Sequence, residues 1–581
     1  MRGRANIKFK NLFLFILPSI LFSCGGVTNS NEQESSSLET IFSEDYSSIN
    51  SEISSITEDT SSIEESPISS EFISSFEENK ELTYKEKLES FIDDYYIKDQ
   101  DFITHIKSLK DNIEIDSNAI YVTPNGNGDG SISSPCSIYD AIWSVESGQT
   151  IYLRGGTYNL EEIIYIESSG SKDNYKSIKN YPGEKVIITS TSENIKKYSE
   201  GDEYVLFAFV DNASYWHIEG LEFDSIKQKK VGGIVFWGGG QNHIIIKDNK
   251  FHNLETSITD KNNTDAGANS ILMLGETKNP INNIFIYGNE CYDNVTGWSE
   301  TISAAGNCEA IYVINNYVHD NTNIGIDFYG NAEYCSDPAL DQPRYCIAAL
   351  NVVKNSKCEY ADCAGLYVDG GRDILLTNNI VYESQDGIEI GSEERQDDYP
   401  VKNIIVRNNL LYHNTTSGIR IGGYQKNETG IVKDTYIYNN TIIDNNTDGG
   451  YSEVTLAKVD GISFKNNIIY SSKAENRLVS SDFNESYTKN LIFENNYFGV
   501  NNTSKDKFKF DLYSKDQTGL DIFNSLINGN NISGEITFDE NYKVLSGVTI
   551  NSGDNSLDVG LYDLSFNKRK NDNIDIGAYE L

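Results

Sequence analysis

The chain has 581 residues and a formal net charge of −40, from 47 basic and 87 acidic side chains. So acidic a surface repels nucleic acid and acidic membranes, and it repels an acidic polysaccharide unless a cation or a local basic residue intervenes. The length admits several ordinary domains or one long repetitive one.

The N-terminus reads as an address. Arg2, Arg4, Lys8 and Lys10 precede an apolar run from Leu12 to Phe22 that is too short for a stable membrane span. The run ends in "LFSCGG", which resembles the lipobox of bacterial lipoproteins. That resemblance implies a signal peptide over 1–23, lipid on Cys24, and a mature chain outside the cytoplasm whose only link to the membrane is that lipid. Residues 27–79 carry thirteen acids and no Lys or Arg. Such a composition buries no core, so 24–80 is expected to be a disordered tether. Setting aside those acids and the four basic leader residues leaves −31, so the folded part is itself acidic.

Residues 81–117 have helical spacing, with Leu88, Phe91 and Ile92 on one face. "SSPCSIYDAIWSVESGQTIYLRGG" then reads as an amphipathic helix near 137–147, followed by a strand from Thr150. Seven cysteines follow Cys24. Spacing allows Cys291 with Cys308, Cys335 with Cys346 and Cys358 with Cys363, leaving Cys136 as a buried thiol. No zinc-like spacing occurs, and His319 and His413, at equivalent repeat positions, read as structural.

One phrase recurs: "NHIIIKDNKFHN", "NNIFIYGNECYDN", "EAIYVINNYVHDN", "RDILLTNNIVYES", "KNIIVRNNLLYHN" and three more. Its key asparagines are Asn249, Asn289, Asn316, Asn379, Asn409, Asn440, Asn467 and Asn496, with an irregular turn near Asn355. A strand-rich repeat of this period is a solenoid, since no single unit can bury its apolar side alone. The expected fold is all-β: one right-handed parallel β-helix over 118–581, capped by the N-terminal helix and monomeric.

A second repeated strand lies between these phrases: "GIVFWGG", "GIDFYG", "GLYVDGG", "GIEIGSE" and "GIRIGGY". Aligning the glycines puts Val235, Asp327, Tyr367, Glu389 and Arg420 in one outward column, with Trp237, Tyr329 and Asp369 in the next. Neighbouring coils lie about 4.8 Å apart, so the columns form a ribbon of acids and aromatics. Aromatic faces stack on sugars while carboxylates take their hydroxyls, which makes the ribbon a plausible glycan groove. The plainer account is a solvated rib of charged strand positions. Against it, like charges on neighbouring coils repel and call for a reason such as a cation.

"SQDGIEI", with "SGIRIGGY" a coil later, resembles polysaccharide lyase family 9, the pectate-lyase-like β-helix enzymes. The family pattern is Asp-Asp-Gly-aromatic-Asp for calcium, then Gly-Phe-Lys-Leu-Gly-Gly with a catalytic lysine. By that resemblance Gln385, Asp386 and Glu389 fall on calcium positions, Ala364 falls on the preceding acid, and Arg420 falls on the lysine. Asp369 and Glu393, with Asp362 also nearby, stand close enough to complete an oxygen cage. The implied activity is calcium-assisted β-elimination on a uronic-acid-containing glycan. Calcium would sit on Asp369, Asp386, Glu389 and Glu393. Arg420, too basic to give up its proton easily, would clamp the substrate carboxylate, with Tyr367 as proton acceptor. Asp327, Tyr329, Trp237 and Tyr424 would line the sugar groove. Two other readings stay open: a glycoside hydrolase pairing Asp369 with Glu389 or Glu393, and a tethered glycan-binding β-helix without catalysis.

Overall fold

The computed structural model describes residues 95–581 except 110–114, 198–202, 360, 395–397 and 570–572, together with Glu86, Leu88 and Ile92. The leader, Cys24, the tether and Phe91 lie outside the described residues. No helix among the described residues is long and apolar enough to cross a membrane.

The chain winds as a parallel β-helix whose coils stack into three sheets of 14, 13 and 12 strands. Each strand pairs with the equivalent strand of the coil before and the coil after, and the crossovers take the right-handed course that twisted strands favour. Alternate residues fill the interior: Ile326, Phe328, Leu366, Val368, Ile388, Ile390, Ile419 and Ile421 from the 13-stranded sheet are all buried there. Ser137 caps a helix at Ile138–Ser144, whose Ile138 and Ala141 help close the open end, and the strand Thr150–Leu153 follows.

The asparagine phrase has a two-part cause. Asn315, Asn378, Asn408, Asn439, Asn466 and Asn495 sit at positive φ, the left-handed bend that asparagine tolerates best after glycine. The asparagine after each bend turns inward and stacks. From Asn249 through Asn289, Asn316, Asn351, Asn379, Asn409, Asn440, Asn467 and Asn496 to Asn531, each Oδ1 accepts the backbone N–H of the preceding rung. The ladder satisfies buried amides that would otherwise be costly. Asn351 is the rung expected near Asn355. Leu350 holds the left-handed bend there instead of an asparagine, so the phrase loses its signature.

Two features differ from the sequence expectation. All seven described cysteines are free thiols, so the three spacing-based pairs are not formed. Cys291, Cys308 and Cys346 instead fill the apolar core, where a thiol packs as a small hydrophobe. Coil stacking also ends at Lys509–Asp511, well before the C-terminus. Beyond it come the helix Leu520–Ile527 and an antiparallel pair, Ile536–Phe538 with Val544–Gly547. The last thirty residues then run back along the outside. Asn378, Asn408 and Asn439 donate side-chain hydrogen bonds to the carbonyls of Asp563, Val559 and Asp575. The closing "DIGAYEL" is thus part of a strap, held by the left-handed asparagines. In the first segment Glu86 and Leu88 are helical, and a helix runs over Gln100–Lys107. Its Phe102 and Ile106 pack on the outward Ile245, Phe285 and Tyr312 of the 14-stranded sheet.

Candidate functional site

The outward column of the 13-stranded sheet is continuous where it matters. Asp327 pairs with Tyr367, Tyr367 with Glu389 and Glu389 with Arg420, on four successive coils. Val235 is in the same column but three coils away, through Leu272 and Ser303. The strands Gly267–Gly275 and Ile302–Gly306 supply the coils between, with Ser270 and Thr301 where the other strands place the glycine before the apolar residue. Trp237 is likewise three coils from Tyr329, with the Lys197 ammonium 4.1 Å from its ring centroid, so it stands apart from the rest.

An outward strand position is usually wet, yet these are not. Asp327 and Tyr367 are 2% exposed, Asp369 4%, Asp386 1% and Glu389 7%. Turns wall the column on its far side, where Gln342 and Asn331 both donate to the Tyr399 carbonyl. Carboxylates are almost never buried so deeply without partners.

The acids divide into two groups. In the first, the Arg420 guanidinium lies 3.5 Å from Asp386 and 3.2 Å from Asp362. Asp386 also accepts hydrogen bonds from the Thr416 hydroxyl and from the Ser417 amide, at 2.8 Å for the latter. Gln385 donates to Asp362, and Tyr451 faces Arg420 at 5.0 Å from ring centroid to guanidinium. Glu389 belongs here too, and its Oε2 is buried without a hydrogen-bond partner, as is Nε of Arg420. Burial and the neighbouring Asp386 push the Glu389 carboxyl well above its usual range, while Asp386 and Glu389 raise Arg420 further. Arg420 is therefore a fixed cation.

The second group has no cation. Burial is the largest cause raising Asp327 and Asp369; Glu300 and Glu393 raise Asp327 further, and Glu393 and Asp327 raise Asp369. Glu393 is pushed to about 7, chiefly by burial, and so is Glu300, which sequence reading missed. Glu300 precedes the strand Ile302–Gly306, which lacks the leading glycine of the other column strands. Asp369 accepts the Glu393 amide at 3.1 Å, and the Tyr367 hydroxyl donates to Glu393 at 3.0 Å. Burial, then Asp369, Glu389 and Glu393, raise the Tyr367 phenol well above 10, so it holds its proton. Tyr329 packs edge-on to Tyr334 at 5.7 Å, and half-exposed Tyr424 lies near enough to feel Glu393 and Asp369.

The four acids expected to share a calcium ion thus fall on both sides of this division: Asp386 and Glu389 with Arg420, Asp369 and Glu393 with Asp327. No three of them bring oxygens within 4.8 Å of one another. Among the described residues only Glu222, Asp224 and His252 meet that spacing. There the His252 ring nitrogens already bind both carboxylates, and Lys185 pairs with Glu222. At the position implied by the resemblance, Gln385 and Ala364 offer no charge, Asp386 is committed to protein donors, and a guanidinium stands beside it. Those residues do not fit a calcium ion.

Comparison with known proteins bears on the whole arrangement. Residues 120–476 match the Pel9A-like right-handed β-helix region. The chain belongs to this family. Its relatives include the uncharacterized protein YwoF of Bacillus subtilis, 30% identical over 299 residues, which are 49% of this chain and 60% of that one. Pectate lyase L of Paenibacillus polymyxa is 28% identical over 147 residues, 24% of this chain and 29% of its own. Pectate lyase PEL9 of Emericella nidulans is 35% identical over 112 residues, 18% of this chain and 27% of its own. The chain thus spans 60% or less of these relatives. Among solved structures, pectate lyase Pel9A aligns with 80% of this chain and 96% of its own, at 15% identity and a TM-score of 0.29. A lacto-N-biosidase from Eubacterium ramulus aligns with 66% of this chain and 68% of its own, at 14% identity and a TM-score of 0.43. The family is one of polysaccharide-acting β-helix proteins.

Proposed function

We propose that this chain is a lyase that cuts a uronic-acid-containing polysaccharide by β-elimination, with Glu389 and Arg420 at the reacting sugar. One observation carries the reading: a buried Glu389 carboxylate oxygen without a hydrogen-bond partner stands in register with Arg420 on the adjacent coil, whose Nε is held only loosely, 3.5 Å from Asp386. Such a pair is costly to leave unmade and is met by a ligand that brings an acceptor to Arg420 and a proton to Glu389. A uronate does both. Its carboxylate docks on Arg420, which stabilises the charge that develops as Glu389 takes the proton from the adjacent carbon. The electron pair left behind forms the double bond, and the bond to the leaving glycosidic oxygen breaks. Tyr367, whose phenol keeps its proton, is suited to donate to that oxygen rather than to act as acceptor. Tyr329, Tyr424 and Asp327 flank the site as sugar contacts. No step runs through calcium at Asp386.

Glycoside hydrolysis remains the second reading. Glu393, poised near 7 and hydrogen-bonded to Tyr367, is the kind of carboxyl that protonates a leaving group at neutral pH. Product analysis on a polysaccharide panel separates the two. A lyase leaves an ultraviolet-absorbing unsaturated end, whereas new reducing ends without it sink the lyase reading. We also place the chain at the outer surface of a membrane, as a monomer held by lipid on Cys24. Cys24→Ala should release it into the soluble fraction, and a variant that still sediments with membranes contradicts the anchor.

A further inference from the structure

For two coils past Arg420 the outward column carries no charge. The positions in register are Thr455 and then Ser480, both short. The flank of the guanidinium is left to Tyr451, which comes from the turn just ahead of the strand Ser452–Leu456 and lays its ring 5.0 Å from the charge.

That turn holds one ring in one place. The Asn446 side chain accepts the Tyr451 N–H at 3.1 Å and donates to the Tyr451 carbonyl at 3.0 Å, clamping the tyrosine backbone on both sides. Thr447 and Asp448 donate their amides to the Asn414 and Thr415 carbonyls of the preceding coil. Gly449 and Gly450, at φ +79° and +98°, bring the chain round between those anchors and the clamp. Cover for Arg420 does not account for this, because Tyr451 is 36% exposed while the Asn446 that holds it is 2% exposed. A ring that is fixed, partly in water and beside the group that docks substrate is a platform for a sugar, whose apolar face stacks on an aromatic one.

We infer that Tyr451 is a specificity-determining residue whose ring carries the sugar next to the uronate on Arg420, one coil toward the C-terminus, with Asn446 as the residue that positions it. The inference rests on the proposed docking of a uronate at Arg420. The sugar on Tyr451 is uncharged. Asp386, Glu389, Asp362 and Asp482 already act on Arg420, and Arg477, one coil beyond Tyr451, is paired with Asp516 at 3.4 Å. That leaves one guanidinium for one uronate. The substrate is then a glycan in which a uronate adjoins a neutral sugar.

Calorimetric binding tests this in the full chain carrying Glu389→Gln, so that no substrate is consumed. The probes are a tetrasaccharide alternating uronate with neutral hexose, a tetrasaccharide of uronate alone, and a free uronic acid. The alternating probe should bind more tightly than the uniform one. Tyr451→Ala should weaken it about tenfold or more and leave the free acid, which needs only Arg420, unchanged. Tyr451→Trp should keep the affinity, and Asn446→Ala should lose about threefold or more with the ring still present. Tyr451 is partly exposed, so its variants serve even where Asn446→Ala fails to fold. Undiminished binding by Tyr451→Ala overturns the inference. So does a loss shared equally by the free acid, which is what a merely structural tyrosine predicts, tighter binding of the uniform probe, or no binding of the alternating one. If the alternating probe binds through Tyr451 while the wild type releases no unsaturated product, only the lyase reading falls.

Discussion

Two groups of buried acids share one face of one sheet, and they differ in how their charge is met. Around Asp386 the chain provides its own cation: Arg420 reaches Asp386 and Asp362, and backbone and hydroxyl donors complete the shell. Around Asp327 and Asp369 it provides none, and burial together with neighbouring acids raises both. A site with an internal cation is preorganised and acts on what comes to it. A site without one stays poised for an outside charge or an extra proton. The same column of outward positions yields both outcomes because one residue, Arg420, stands at only one end of it.

Removing the group that joins these halves should have the largest effect. Glu389→Gln keeps the shape of the side chain but cannot take a proton, so turnover should fall by about 10²- to 10⁴-fold, measured as unsaturated product. The wild-type rate should rise with pH, because the raised Glu389 carboxyl becomes a base only as it loses its proton. A flat profile would detach Glu389 from the chemistry. Arg420→Ala should cost about 10²-fold or more, and Arg420→Lys should recover part of it by restoring charge without the planar fork. Equal loss in both variants would mean that the fork geometry, not the charge, is what the substrate reads.

Glu453 offers a third way of keeping a carboxyl buried, and so sharpens the contrast. It sits at the start of the strand Ser452–Leu456, fully buried, where both the backbone and side-chain amides of Asn445 donate to its Oε2. No cation is near, and burial pushes its pKa to about 8. The folded state therefore holds a proton that the unfolded chain, near 4.5, gives up earlier. Its stabilising contribution is fully present below 4.5 and is lost as pH rises through 8, at about 1 kcal/mol per pH unit across that window. Glu453→Gln retains an acceptor for Asn445 and should flatten that part of the stability profile. Thermal unfolding of both proteins from pH 5 to 9 measures it, and parallel curves would count against a protonated Glu453.

The fold was legible because its two requirements repeat. Asparagine at a left-handed bend and asparagine in the ladder write "NN" at most rungs, with Asp248 and Gly288 taking the bend at the first two, and that doublet needs no tertiary knowledge to see. It fades where Leu350 takes the bend, and there the rung was misplaced to Asn355. The column Asp327, Tyr367, Glu389, Arg420 was legible for the same reason, since a leading glycine marks each strand. What was not legible is burial. Period-two alternation says that Glu389 points outward, but turns far away in sequence decide that outward is not wet. Glu300 escaped notice because its strand, "ISAAG", lacks the leading glycine. Trp237 was drawn in by an alignment that skipped two coils. The cysteine pairs failed because short spacing along the chain does not bring sulfurs together in a solenoid, where neighbours are a whole coil apart.

The smallest effect expected bears most directly on the uncompensated group. Asp327→Asn removes one of several like charges and brings an amide that can donate to Asp369 or to the Ser303 hydroxyl. In chelator at pH 8 the variant should unfold at a higher temperature than wild type, by about one degree for about 1 kcal/mol in a chain of this size. A truncation of a buried polar group ordinarily destabilises, so a gain in stability is a signature of relieved repulsion. A variant less stable than wild type in chelator would show that Asp327 is compensated within the chain, and the contrast between the two groups of acids would be gone.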